Sequence, residues 1–163
     1  MKQRWYGVGT LLAVLAVLTL SAPALATVEQ LPFKGRSSGV VTTTGFDPVA
    51  MIASTHVEGQ GQATHLGQFT VTGDVDVNVV TGIAEGTWTL TAANGDRLFL
   101  TMTGRGIDET HGIGTFTVVG GTGRFEGATG LLQLAITFAI APPTSDPNPY
   151  IVVLEGAISL GPH

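Results

Sequence analysis

Glycine spacing constrains this chain more than any other feature. Between Gly35 and Gly130 no stretch reaches the roughly 11 residues of three helical turns without meeting a glycine or a proline. Each interior glycine costs a helix about 1 kcal/mol relative to alanine, so a helical fold has nowhere to nucleate. The segments between are rich in threonine and valine and alternate with period two, the signature of half-buried strands. Trp88, Leu90 and Ala92 alternate with Thr87, Thr89 and Thr91, and Leu132, Leu134, Ile136, Phe138 and Ile140 alternate with Gln133 and Thr137. One face is apolar and the other threonine-rich. The pattern predicts an all-β chain with extended segments at Phe33–Thr42, Ala50–Val57, Thr64–Thr72, Val75–Val80, Gly86–Ala92, Arg97–Thr103, Gly114–Val119, Leu131–Ile140 and Tyr150–Leu160.

Turn chemistry sets how neighbouring segments pair. Asn94-Gly95 predicts a type I′ hairpin, since that turn needs positive φ at both central residues. Gly86-Thr87-Trp88-Thr89-Leu90 is echoed by Gly114-Thr115-Phe116-Thr117-Val118 at an offset of 28 residues. Two copies make two hairpins of one meander and no solenoid. Ala141 to Pro149 carries four prolines in nine residues, which predicts a long connection outside the sheet because proline donates no ladder hydrogen bond. That connection reads either as a surface loop or as a lid over a barrel mouth.

The first 26 residues stand apart from the fold. Lys2 and Arg4 precede an apolar run from Val8 to Leu20, and Ala24-Leu25-Ala26 supplies small residues for cleavage, the pattern of a secretory signal peptide. The run is shorter than the ~20 apolar residues of a membrane span. Residues 27–163 are therefore expected to form one exported domain, secreted or periplasmic, without a membrane anchor after processing. Seven basic residues face twelve acidic ones for a formal charge of −5, and with Lys2 and Arg4 removed the mature chain is more acidic still. Scattered basic residues in an acidic chain argue against a nucleic-acid partner. The sequence has no cysteine, which excludes disulfides, thiol catalysis and zinc-thiolate sites.

Several constellations resemble chemistry. Gly121-Thr122-Gly123 follows an extended segment as in the dinucleotide fingerprint, but no βαβ unit surrounds it and Gly127 and Gly130 interrupt any following helix, so no cofactor is expected. Asp74, Asp76, Asn78 and Glu85 fall at positions 1, 3, 5 and 12 of a calcium loop. Val79 stands where that loop needs glycine, and Val75, Val77 and Val79 alternate as in a strand, so a solvated strand face is the default and calcium binding stays open. His56, His65, His111 and His163 form no metal pair on one element, and no metal site is assigned. His65 shares parity with Phe69 and Val71, and Glu155 with Ile151, Val153 and Ala157. If those faces point inward, the two are candidate catalytic or anchoring groups, because a carboxyl or imidazole in apolar surroundings shifts its pKa toward acid–base work. A satisfied core histidine and an outward glutamate fit the same letters. No Gly-x-Ser-x-Gly motif occurs.

The run from Val118 to Gly130, Val-Val-Gly-Gly-Thr-Gly-Arg-Phe-Glu-Gly-Ala-Thr-Gly, resembles the glycine-rich segment of plant dirigent proteins and of the allene oxide cyclase barrel. With Ala63 to Thr70 and Thr91 to Asp96, the chain resembles small secreted bacterial proteins of that barrel type from about Phe33 onward. The resemblance implies a single antiparallel eight-stranded β-barrel, calycin-like, with an apolar interior. The glycine run then becomes a barrel corner. No polar motif of the plant enzymes carries over. The resemblance also implies homo-oligomers, since related barrels form dimers or trimers. Two functions follow. In one the barrel binds a small hydrophobic molecule against Trp88, Phe116 and Phe138 and steers a cofactor-free cyclisation or isomerisation. In the other it is filled by its own side chains and acts as a non-catalytic exported structural or interaction module.

Overall fold

The computed structural model describes residues 29–140 and 146–161. The leader, most of the proline-rich connection and His163 lie outside these residues. Eight strands run in order: β1 Leu31–Asp47, β2 Ile52–Ala63, β3 Gly67–Asn78, β4 Ile83–Ala92, β5 Arg97–Gly106, β6 His111–Gly121, β7 Thr129–Phe138 and β8 Asn148–Ser159. Each pairs antiparallel with the next, and β1 pairs with β8 from Leu31 opposite Ile158 to Val41 opposite Asn148. Closure leaves no sheet edge open to another chain. The expected eight-stranded antiparallel barrel is what the chain forms.

Alternation decides which residues fill it. Phe33, Val71, Leu90, Leu100, Phe116, Leu132, Val152 and Ile158 point inward and are buried, each contributing about 1.5–3 kcal/mol by leaving water. Threonines and charged residues of the same strands face out.

Three sequence expectations change. The segments Thr64–Thr72 and Val75–Val80 are one strand, β3, whose ladder continues through Gly73, opposite Val57 on one side and Trp88 on the other. Gly73 is a packing glycine and not a turn: a Cβ there would lie 2.9 Å from Trp88 Cδ1. The Asn94-Gly95 hairpin is antiparallel as expected, but only Gly95 has positive φ, at 89°. Gly95 N–H donates to Ala92 C=O at 2.9 Å and Ala92 N–H to Asp96 C=O at 2.8 Å, which is a bulged hairpin and not a type I′ turn. Pro149 is not outside the sheet: it is the second residue of β8, facing outward.

The two barrel ends differ. At one end the turns after β2 and β6 fold inward, and Leu66, Phe125 and Ala128 are buried. Phe125 belongs to a 3-10 turn, Gly123–Phe125, which is all the helix that follows the glycine run. Arg124 fastens this plug: its guanidinium donates to Leu66 C=O at 3.3 Å, lies 3.6 Å from the Asp96 carboxylate and rests 5.0 Å from the Phe125 ring centre. At the opposite end the turns after β1, β3 and β5 stand up around the mouth. They are tied by Val79 N–H to Met51 C=O at 2.9 Å and Gly106 N–H to Gly82 C=O at 3.0 Å, while Phe138 N–H donates to Thr110 C=O at 2.8 Å.

Candidate functional site

Inside the barrel, an aromatic row crosses the core. Trp88 on β4 meets Phe116 on β6 edge-on at 5.0 Å between ring centres, and meets Tyr150 on β8 at 6.0 Å. Tyr150 is 2 % exposed and Trp88 4 %. The Tyr150 ring reaches past β1 until its hydroxyl lies against Gly59 of β2, where a Cβ would stand 2.6 Å from that oxygen. Two glycines, Gly59 and Gly73, thus make the room that the two large rings occupy.

The row carries polar atoms that the apolar core does not satisfy. Among the described residues, Ser37 Oγ, Trp88 Nε1, Asn148 Oδ1 and Tyr150 OH are buried and unpartnered. Ser37 is close enough to the phenol to oppose part of the burial effect, yet makes no well-formed hydrogen bond with it. Burial pushes the Tyr150 phenol up to about 12, so it stays protonated and can only donate or accept hydrogen bonds at neutral pH. Asn148, one inward position nearer the mouth, donates from Nδ2 to Ile140 C=O at 2.8 Å and leaves its Oδ1 free. Native interiors pair nearly all buried polar groups; here four atoms on β1, β4 and β8 lack a protein partner.

Above the row, Val41, Val77, Ala84, Ile136 and Phe138 are half-buried against the core. Beyond them the mouth carries exposed apolar residues on every turn: Phe46, Val49 and Met51 after β1, Val79, Val80 and Ile83 around the β3–β4 turn, Ile107 after β5 and Ile140 after β7. Apolar residues thus stand on the rim and, half-buried, on the inner face just below it.

The residues singled out in the sequence separate into two groups. Trp88, Phe116 and Phe138 do face the interior, Phe138 at the mouth and the other two as packed core. His65 and Glu155 do not. His65 lies in the β2–β3 turn at the plugged end, exposed, with φ of 63° and Nε2 3.1 Å from Pro32 C=O. Its parity with Phe69 is broken because the strand begins only at Gly67. Glu155 is on the outer wall, 2.9 Å from Lys34 Nζ. Ile151 and Val153, apolar but exposed, disguised that outer face as an inner one. The true inner set of β8 is Asn148, Tyr150, Val152, Leu154 and Ile158. Tyr150, Ser37 and Asn148 are not distinguished by the letters: Ile151 and Val153 make both faces of β8 aliphatic, and nothing around Ser37 on β1 marks it as inward.

The Asp74, Asp76, Asn78 and Glu85 set is a strand face and not a loop. Asp74 and Asp76 point outward from β3, with Asp76 opposite Glu85 of β4. Each has a partner on β2: His56 Nδ1 is 2.7 Å from Asp74 Oδ1, and Ser54 donates to Asp76 at 2.6 Å. Asn78 instead caps the next turn, accepting from Val80 and Thr81 N–H. A shallow outer depression of about 180 Å³ lies over Ser54, Asp74, Asp76, Glu85 and Thr87. Among the described residues no group of three His, Asp or Glu is arranged to hold a metal.

No protein-family model matches the chain, and no curated protein matches it. Solved structures do. The chain is similar to the pterocarpan synthase dirigent protein GePTS1, with 11 % identity and a TM-score of 0.58 over 88 % of this chain and 99 % of that one. It is also similar to the pterocarpan synthase dirigent protein PsPTS1, with 15 % identity and a TM-score of 0.54 over 83 % and 96 %. The fold is a dirigent-type barrel. At this identity the likeness concerns the path of the backbone, and the contents of the dirigent-type barrel must be read from its own residues.

Proposed function

We propose that this chain is an exported dirigent-type barrel that takes a small hydrophobic molecule through its apolar mouth and holds a polar group of it on Tyr150, Trp88 and Ser37, with Asn148 Oδ1 left to accept from any donor the molecule carries. The observation that supports this reading is the set of unpartnered buried polar atoms. A core built only for packing would replace them with apolar groups of the same shape, because an unsatisfied buried polar group costs about 1–3 kcal/mol. Protonated Tyr150 and the Trp88 indole N–H are both donors, so the matching ligand group is an acceptor oxygen such as a carbonyl. The same donors suit an oxygen that gains negative charge during an isomerisation or cyclisation. Two barrels of this fold are named as pterocarpan synthase dirigent proteins, and the resemblance of the glycine-rich segment to that of allene oxide cyclases is what suggests cofactor-free steering. With Tyr150 protonated, the chemistry here would rest on positioning and hydrogen bonding, without proton abstraction by the phenol.

Native mass spectrometry of the isolated protein, together with Trp88 fluorescence, tests the reading. A bound small molecule in the wild type that is lost in Tyr150→Phe supports it. A bare mass, with Trp88 emission unmoved by a panel of apolar carbonyl compounds, overturns it. The second reading, a self-filled structural or interaction module, draws on the edge-on Trp88–Phe116 contact at 5.0 Å, which closes the middle of the barrel. It predicts that Tyr150→Phe changes no binding at all.

A further inference from the structure

The two adjoining turns at the mouth, β1–β2 and β3–β4, carry six exposed apolar side chains: Phe46, Val49, Met51, Val79, Val80 and Ile83. Val49 is 93 % exposed and Val80 70 %. They stand on projecting tips and not on a flat sheet face, and Val79 N–H donates to Met51 C=O at 2.9 Å, tying the tips into one unit.

Their backbone is prepared for leaving water. Asp47 Oδ1 accepts from Val49 N–H at 2.8 Å and from Ala50 N–H at 3.0 Å. Asn78 Oδ1 accepts from Val80 and Thr81 N–H, both at 3.0 Å, and Gly82 N–H donates to Asn78 C=O at 2.8 Å. The amides of residues 49, 50, 79, 80, 81 and 82 thus have partners inside the turns. Exposed turns ordinarily leave such donors to water, and a donor carried unpaired into an apolar layer costs several kcal/mol. Here that cost is removed in advance.

Charge selects the kind of surface. The charged groups at this end are mostly acids, Asp47, Asp108, Glu109 and Asp146, with His111 beside Asp108. The six apolar residues have no lysine among them, and one arginine, Arg105 of β5, stands opposite Ile83. An anionic surface would be repelled, and any attraction must come from burying the apolar tips.

We propose that the β1–β2 and β3–β4 tips dock this end of the barrel onto a zwitterionic lipid surface, Val49 and Val80 inserting first and Asp47 staying at headgroup depth. Docking would set the apolar mouth against an apolar phase. The inference does not depend on the ligand reading.

Flotation of the isolated protein with phosphatidylcholine vesicles tests it. The wild type should float with the vesicles, without loss in high salt and without gain when phosphatidylglycerol is added. Val49→Asp combined with Val80→Asp should lower partitioning on the order of tenfold or more, since two valines leave the apolar layer and two charges face it. Leu131→Asp, on the outer wall toward the plugged end, should leave it unchanged, and near-ultraviolet circular dichroism from Trp88 reports whether each variant is folded. Failure of the wild type to float, equal flotation of the double variant, or equal loss in Leu131→Asp overturns the proposal. So does sedimentation showing a dimer that the double variant splits, which would make the tips an interface between copies of this chain.

Discussion

Tyr150 concentrates the energetics and the proposed chemistry in one side chain. Its phenol is raised from 10.0 to about 12 by burial. The neutral form is the one the fold prefers, so its contribution to stability is complete below pH 10 and is lost as pH rises through about 12. Denaturant titrations of the wild type should show stability falling across that window, and Tyr150→Phe should flatten the fall. At neutral pH the same substitution should leave stability unchanged or raise it by up to about 1–3 kcal/mol, because the hydroxyl it removes is buried without a well-formed hydrogen bond. Asp108 gives the opposite sign. Thr110 N–H and the His111 ring hold its carboxyl down from 3.8 to about 2, so its support of the β5–β6 turn is complete above the ordinary value and is lost as pH falls through about 2. The Thr110 amide shift followed by NMR should titrate in that acid range in the wild type and not in Asp108→Asn. Neither role was legible from composition. Parity in β8 can be read two ways because both faces carry aliphatic residues, and the parity of His65 with Phe69 has no meaning in the fold because β3 starts only at Gly67.

At the scale of the strand, glycine had two meanings that the sequence does not separate. At Gly95 it permits positive φ in a hairpin, and there the sequence was right about the pairing. At Gly73 it makes space for the Trp88 ring inside a continuous strand, and there the break expected between two segments does not exist. Gly73→Ala should therefore destabilise by about 1–3 kcal/mol through overpacking against Trp88, readable as a lower midpoint in urea with an altered Trp88 emission. An alanine at a true turn glycine such as Gly95, which has positive φ and open space around it, would act through backbone strain alone and leave that emission unchanged. The strands themselves were legible because alternation is a local property. Their lengths were not, since ladders run on through Gly59, Gly61 and Gly73 only because neighbouring strands supply the pairing.

For the molecule as a whole, the asymmetry of the two ends matters most. Phe125 seals one end from within the glycine run, and Phe125→Ala should cost about 3–5 kcal/mol, seen as a lower unfolding midpoint and a gain in binding of an environment-sensitive apolar dye. The opposite mouth stays apolar and exposed. The sequence by itself determined that the chain is all-β, that its neighbours pair antiparallel and that the run from Val118 to Gly130 is no phosphate cradle, because period-two alternation and the lack of a following helix are local signals. Only the tertiary structure decided which face of β8 is the inside, that Tyr150 and Trp88 meet, that Glu155 and His65 lie outside, and which end is plugged, because each of these depends on barrel closure bringing residues far apart in sequence into one interior.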